Sequence, residues 1–172
     1  MRFSPRLSLI ALAAAALASC ESPPPEFRIG LIGVFEGAMA HSSGIPARDG
    51  ARMAVDEINA RGGIVINGVT HRVRLIERET APRPEAAAIT ARALINLDSV
   101  DVLVGPQTSA LAVVAGAAAE ASEVPMIAPM ASNPAVTAGR RFVNRLAFVD
   151  AVQGTVLARF AYDSLQVRRA AV

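Results

Sequence analysis

Short apolar runs, each followed by a stretch with helical spacing, recur along most of the chain, and that alternation limits the fold more than any other feature. The first run, FRIGLIGV at residues 27–34, has no polar alternation, as expected of a strand buried on both faces. A loop rich in small residues, 35–45, leads into a helix whose Ala51, Ala54, Val55 and Ile58 fall at i, i+3, i+4 and i+7. Pro46 suits the first turn of that helix, and Gly62 and Gly63 suit its stop. Asn67-Gly68 is a tight-turn signal that leads into an alternating strand over 72–77. Pro84 opens a second helix with Ala88, Ala91, Leu94 and Ile95 on one face. A third strand is expected over 100–104, a third helix over 109–120, and a fourth strand over 124–128 with Pro125 near its start, where proline is tolerated. Residues 141–146 read as another extended piece. Asp150 and Gln153 match a first-turn capping pattern for a helix running to about Asp163, and residues 168–172 begin one more apolar strand.

Strands alternating with helices of this length predict an α/β fold: a parallel sheet flanked by helices on both faces. Ligands of such sheets sit beyond the carboxyl ends of the strands, where strand order reverses. The loops at that edge are 35–45, 80–83, 105–108 and 129–139, all rich in small polar residues.

The amino terminus reads differently. Arg2 and Arg6 precede an apolar stretch from Leu7 to Leu17, which is too short to span a bilayer and matches a secretory leader. Its end, LASC at 17–20, resembles the lipobox of bacterial lipoproteins, and Cys20 is the single cysteine of the chain. That resemblance implies removal of residues 1–19 and lipidation of Cys20, with 20–26 as a proline-rich tether to the membrane. Residues 27–165 then form the folded unit. All 17 basic residues are arginine; without Arg2 and Arg6 the remainder equals the 15 acidic residues. A formally neutral domain gives no electrostatic support for a nucleic-acid partner. The absence of lysine also removes P-loop, Schiff-base and Ser-x-x-Lys chemistry.

Two loops stand out. In LVGPQTSALA at 103–112 a strand breaks at Gly105-Pro106, shows polar side chains and turns apolar again, which makes Ser109 the natural N-cap of the third helix. The first turn of a helix holds unpaired N–H groups and partial positive charge, so a small anion fits there, although capping alone also accounts for a serine at this place. The second loop, IAPMASNP at 127–134, places hydroxyl and amide groups after the next strand, where an ordinary Asn-Pro turn is the simpler reading.

From Ile29 onward the chain resembles the type I periplasmic solute-binding proteins, specifically the leucine/isoleucine/valine-binding group of ABC importers. The resemblance is carried by Gly44 and GARMAVDEINARGG at 50–63, by Val104-Gly105-Pro106 with Thr108-Ser109, by PMIAPMAS at 125–132, and by Asp150 with Gln153-Gly154. It implies that Ser109 holds a ligand carboxylate through its hydroxyl and N–H. It further implies that Met130 offers a backbone carbonyl to the ligand ammonium and that Ser132 serves both groups. Thr108, Gln107 and Ser43 are further ligand-binding candidates. Some relatives join the loops at Ala81 and Thr108 by a disulfide, which this chain cannot form. An aromatic residue often closes the cleft near Ser42-Ser43; here Phe35 or His41 would replace it.

The resemblance also implies two lobes that close on the ligand. Residues 166–172 read as the start of the second lobe's first strand, so the expectation is an N-terminal lobe with the second lobe essentially missing. The expected protein is a lipid-anchored receptor, or its ligand-binding lobe, at the bacterial envelope. It delivers a small amino-acid-like solute to an ABC permease, without cofactor or metal. The alternative is an envelope lipoprotein that uses the same fold to regulate or sense through protein contacts. An enzyme is rejected, because Gly30, Gly33 and Gly37 miss the dinucleotide-binding spacing and no zinc or nucleophile-elbow motif occurs.

Overall fold

The structure is a computed structural model, and it describes residues 24–171. The leader, Cys20 and the first residues of the tether therefore lie outside the described residues. Six strands form one sheet: β1 (Glu26–Gly33), β2 (Ile64–Ile66), β3 (Val69–Glu79), β4 (Val102–Val104), β5 (Met126–Ala128) and β6 (Val143–Arg145). Four α-helices accompany them: α1 (Ile45–Ala60), α2 (Pro84–Asn96), α3 (Ser109–Ala121) and α4 (Asp150–Asp163).

The strand order is β2-β3-β1-β4-β5-β6. All neighbours are parallel except β2, which pairs antiparallel to β3 through the Asn67-Gly68 turn. The sheet is therefore mixed, not wholly parallel as expected. The turn does more than lead into β3; it folds Ile64–Ile66 back as an edge strand too short to show a period.

Successive residues of β3 face opposite layers. Glu77 takes a two-pronged ion pair from Arg52 of α1, at 2.6 and 2.7 Å. Ile76 packs instead against the main core, which holds Ala91 and Leu94 of α2 and Ala112, Ala115 and Ala119 of α3. Helices thus cover both faces. The alanines of α3 allow its close approach to Leu103, Met126 and Val143 beneath it. Of the face expected on α1, only Val55 is buried; Ala51 and Ile58 are half-buried and Ala54 is exposed. Among the described residues this helix rests on β1 and β3 with no other α-helix packed closely on it, so a narrow stripe suffices.

Asn59 explains part of the motif that follows α1. Its amide donates to the Val73 carbonyl at 2.8 Å and its oxygen accepts from the Val73 N–H at 2.9 Å. It thus completes the edge of β3 as a strand would. Asn59→Ala leaves both half-buried backbone groups unpaired and is expected to cost about 2 kcal/mol in a urea titration.

Glu120 fastens β6. Its carboxylate accepts from the N–H groups of Arg141 at 3.0 Å and Phe142 at 2.9 Å. Those backbone bonds, first from Arg141 and then from Phe142, hold its pKa below the ordinary carboxylate value. A depressed carboxyl pKa stabilises the fold above the unfolded value and loses that contribution as pH falls through the folded one. Glu120→Gln is therefore expected to flatten the acid side of the stability profile, as read by melting temperature from pH 6 down to 3.

The chain beyond β6 departs from expectation. Helix α4 forms over the expected range but buries no residue. Residues 167–171 form no strand, because no neighbouring strand among the described residues offers a ladder partner and an isolated strand leaves its backbone groups to water.

Candidate functional site

The carboxyl ends of the parallel strands meet along one edge, and the expected loops gather there. Two glycines shape it. Gly105, at φ +90°, lies so close to β1 that a Cβ would strike the Ile32 carbonyl oxygen. Gly44 ends a single π-helical turn, Ala40–Gly44, that runs into α1; a Cβ there would strike the Val34 carbonyl oxygen. The first loop also meets α3 directly, since Met39 packs with Val34 and Leu111.

The N-cap of α3 is Thr108, with extended backbone at φ −91° and ψ 148°, and Ser109 is the first helical residue. The expectation that Ser109 caps the helix is thus corrected. The first intrahelical bond runs from the Ala112 N–H to the Thr108 carbonyl at 2.9 Å, and no side chain caps the turn. The N–H groups of Ser109, Ala110 and Leu111 precede that bond, and no acidic residue stands in the first turn to offset the positive end of the helix.

Freed from capping, the half-buried Ser109 hydroxyl accepts from the Asn133 N–H at 3.2 Å. That bond joins the β4–α3 loop to the β5–β6 loop. Ser132, also half-buried, lies next to it, and its carbonyl accepts from the Asp150 N–H at 3.2 Å. Asn133 caps the short turn behind it through the Ala135 N–H at 2.8 Å, and Arg145 donates to the Asn133 carbonyl at 3.0 Å. The loop is held from both sides. Met130 projects outward, about half exposed.

Other candidates lie elsewhere along the edge. The Ser43 hydroxyl donates to the Met39 carbonyl at 3.1 Å, so it serves its own turn. Gln107 is buried. His41 is exposed, whereas Phe35 is half-buried beneath the Arg48 guanidinium, 5.3 Å from the ring centre. The Phe35 N–H donates to Glu79 at 2.6 Å. Arg48 is a residue of this edge that no sequence motif marks. Its only signal is a charge in the first turn of a helix, where a cation is disfavoured by the dipole.

Hollows lie on either end of β3, and one of them, lined by Glu77, Arg78, Glu79 and Thr90, reaches its carboxyl end. Another, of about 470 Å³, lined by Asp56, Asn59, Thr70 and Arg72, lies at the amino end of β3. Among the described residues no cluster of three His, Cys, Asp or Glu side chains is placed to hold a metal ion. Nor is any helix among them long and apolar enough to cross a membrane.

A family model described as periplasmic binding protein matches residues 26–172. The leucine-specific-binding protein of Salmonella typhimurium is 27% identical over 148 residues, which cover 86% of this chain and 38% of that protein. The Leu/Ile/Val-binding protein BraC3 of Rhizobium johnstonii is 30% identical over 166 residues, covering 96% and 44%. Among solved structures, the branched-chain amino acid transporter substrate-binding protein LivJ of Streptococcus pneumoniae, in complex with isoleucine, superposes with a TM-score of 0.73 at 30% identity. The match covers 82% of this chain and 39% of that one. The chain spans about two fifths of the length of the proteins it matches. Fold, edge loops and family model agree: the chain belongs to the type I periplasmic binding proteins, in the branched-chain amino acid group, and folds as one lobe of that architecture.

Proposed function

We propose that the chain is the ligand-binding lobe of a lipid-anchored solute receptor at the extracytoplasmic face of the bacterial envelope. It takes a small amino-acid-like solute, branched-chain or similar, for delivery to an ABC permease. The observation that carries this reading is the bond between Ser109 and Asn133, which ties the first turn of α3 to the loop that carries the half-buried Ser132. Unpaired N–H groups at a helix start suit a carboxylate, and the neighbouring loop offers oxygens to an ammonium. Names of relatives point the same way, from leucine-specific binding to a structure holding isoleucine.

Titrating the isotope-labelled chain with leucine to tens of millimolar tests the site. The backbone amide peaks of Ser109, Ala110 and Ser132 are expected to move together, and Ser109→Ala to weaken the response about tenfold. Amides that stay still throughout the titration would refute the reading. The lipid anchor belongs to the same proposal: Cys20 carries it, and Cys20→Ser is expected to release the protein from membranes. A membrane-bound serine variant would remove the anchor from the account.

A further inference from the structure

The Ser109 hydroxyl joins the two edge loops, and its partner limits how it meets a solute. A serine hydroxyl has one O–H donor and two lone pairs. One lone pair of Ser109 Oγ takes the Asn133 N–H at 3.2 Å, in a bond open to solvent, and the hydroxyl donates to no group among the described residues.

The Asn133 N–H does not act alone. It belongs to the same peptide group as the Ser132 carbonyl, which accepts from the N–H of Asp150, the first residue of α4, at 3.2 Å. Hydrogen bonds in series polarise one another, so a donor on that carbonyl strengthens the N–H at the far end. Beyond it, Arg145 donates to the Asn133 carbonyl at 3.0 Å, and the Asn133 side chain accepts from the Ala135 N–H at 2.8 Å. We infer that Asn133 is a positioning residue: its N–H occupies an acceptor site of Ser109 and commits the hydroxyl to donate, so that the edge selects a carboxylate on the solute over a carboxamide. This inference rests on the reading of the Ser109 edge as the solute site. A carboxylate offers acceptors only and meets the hydroxyl proton in either orientation. A carboxamide meets it in one orientation and in the other turns an N–H towards an oxygen with one lone pair already taken.

The backbone of Asn133, at φ −70° and ψ 131°, suits a proline that is itself followed by proline. Asn133→Pro therefore deletes the N–H without bending the chain. Asn133→Ala is the control, since it loses the bond to Ala135 but keeps the N–H. The isotope-labelled chain is titrated with leucine and with leucinamide, which carries a carboxamide in place of the carboxylate, following the backbone amides of Ser109 and Ala110. Leucine is expected to bind the unsubstituted chain more tightly. Asn133→Pro is expected to weaken leucine about fivefold and leave leucinamide unchanged, whereas Asn133→Ala keeps the original ratio. Melting temperature confirms that each variant folds. A loosened loop would weaken both solutes alike; that result, or an equal fall of the ratio in Asn133→Ala, overturns the inference and leaves the solute site standing. Should the proline variant not fold, the Asn133 amide proton of the unsubstituted chain decides. Leucine is expected to move it downfield, because a hydroxyl that donates becomes a stronger acceptor, and an unmoved peak overturns the inference. If neither solute moves Ser109 in the unsubstituted chain, the site reading and this inference fall together.

Discussion

Replacing Gly105 with alanine is expected to destabilise the protein by about 3 kcal/mol or more, a larger effect than the loss of any one hydrogen bond along this edge. Two terms add. A side chain at φ +90° pays the left-handed penalty of about 1–2 kcal/mol, and the new Cβ meets the Ile32 carbonyl oxygen, which cannot withdraw without breaking the pairing of β1. Gly62 supplies the control. Its φ is +102°, but a Cβ there meets nothing within 4 Å. Gly62→Ala should therefore show only the conformational penalty. Denaturant titrations of both variants give the comparison, and equal losses would disprove the clash. Because Gly105 sets the path into α3, the Ser109–Asn133 bond should loosen in Gly105→Ala before the rest of the core.

Leucine is expected to bind this chain no more tightly than millimolar, about a thousandfold short of a micromolar receptor. Micromolar affinity needs about 8 kcal/mol. Charge-assisted hydrogen bonds contribute about 1.5–3 kcal/mol each, and ordering the ligand returns several kcal/mol. In the proposed site the Ser109 and Ser132 loops would offer three or four such bonds from one side. Water reaches the other side, since Met130 is half exposed and no opposing wall stands among the described residues. Calorimetry settles the matter, and a micromolar constant would overturn the one-wall account.

The sheet and its helices were largely legible because burial imposes a period. FRIGLIGV has no alternation since β1 lies between β3 and β4 with helices on both faces, and Ala91 and Leu94 of α2 are buried as their spacing required. Where burial was slight, the reading failed. β2 is three residues long, and α1 uses one fully buried residue where four were expected on its face. The strand expected at 168–172 was read from apolar composition, but its described residues, 168–171, find no partner among the described residues, and composition alone cannot supply the missing hydrogen bonds.

The candidate site divides the same way. Local sequence was enough to place a helix start after Gly105-Pro106, and to put Ser109 and Ser132 just beyond the ends of two strands, because turn chemistry acts over a few residues; that those strands are neighbours is a matter of sheet order. Tertiary structure alone decided that Thr108 is the cap, that Ser109 turns its hydroxyl to Asn133 twenty-four residues away, that Ser43 is spent within its own turn, and that Arg48 lies over Phe35. Side-chain hydrogen bonds depend on which groups meet after distant strands pair. A one-dimensional pattern carries the period of burial but not the identity of the neighbour.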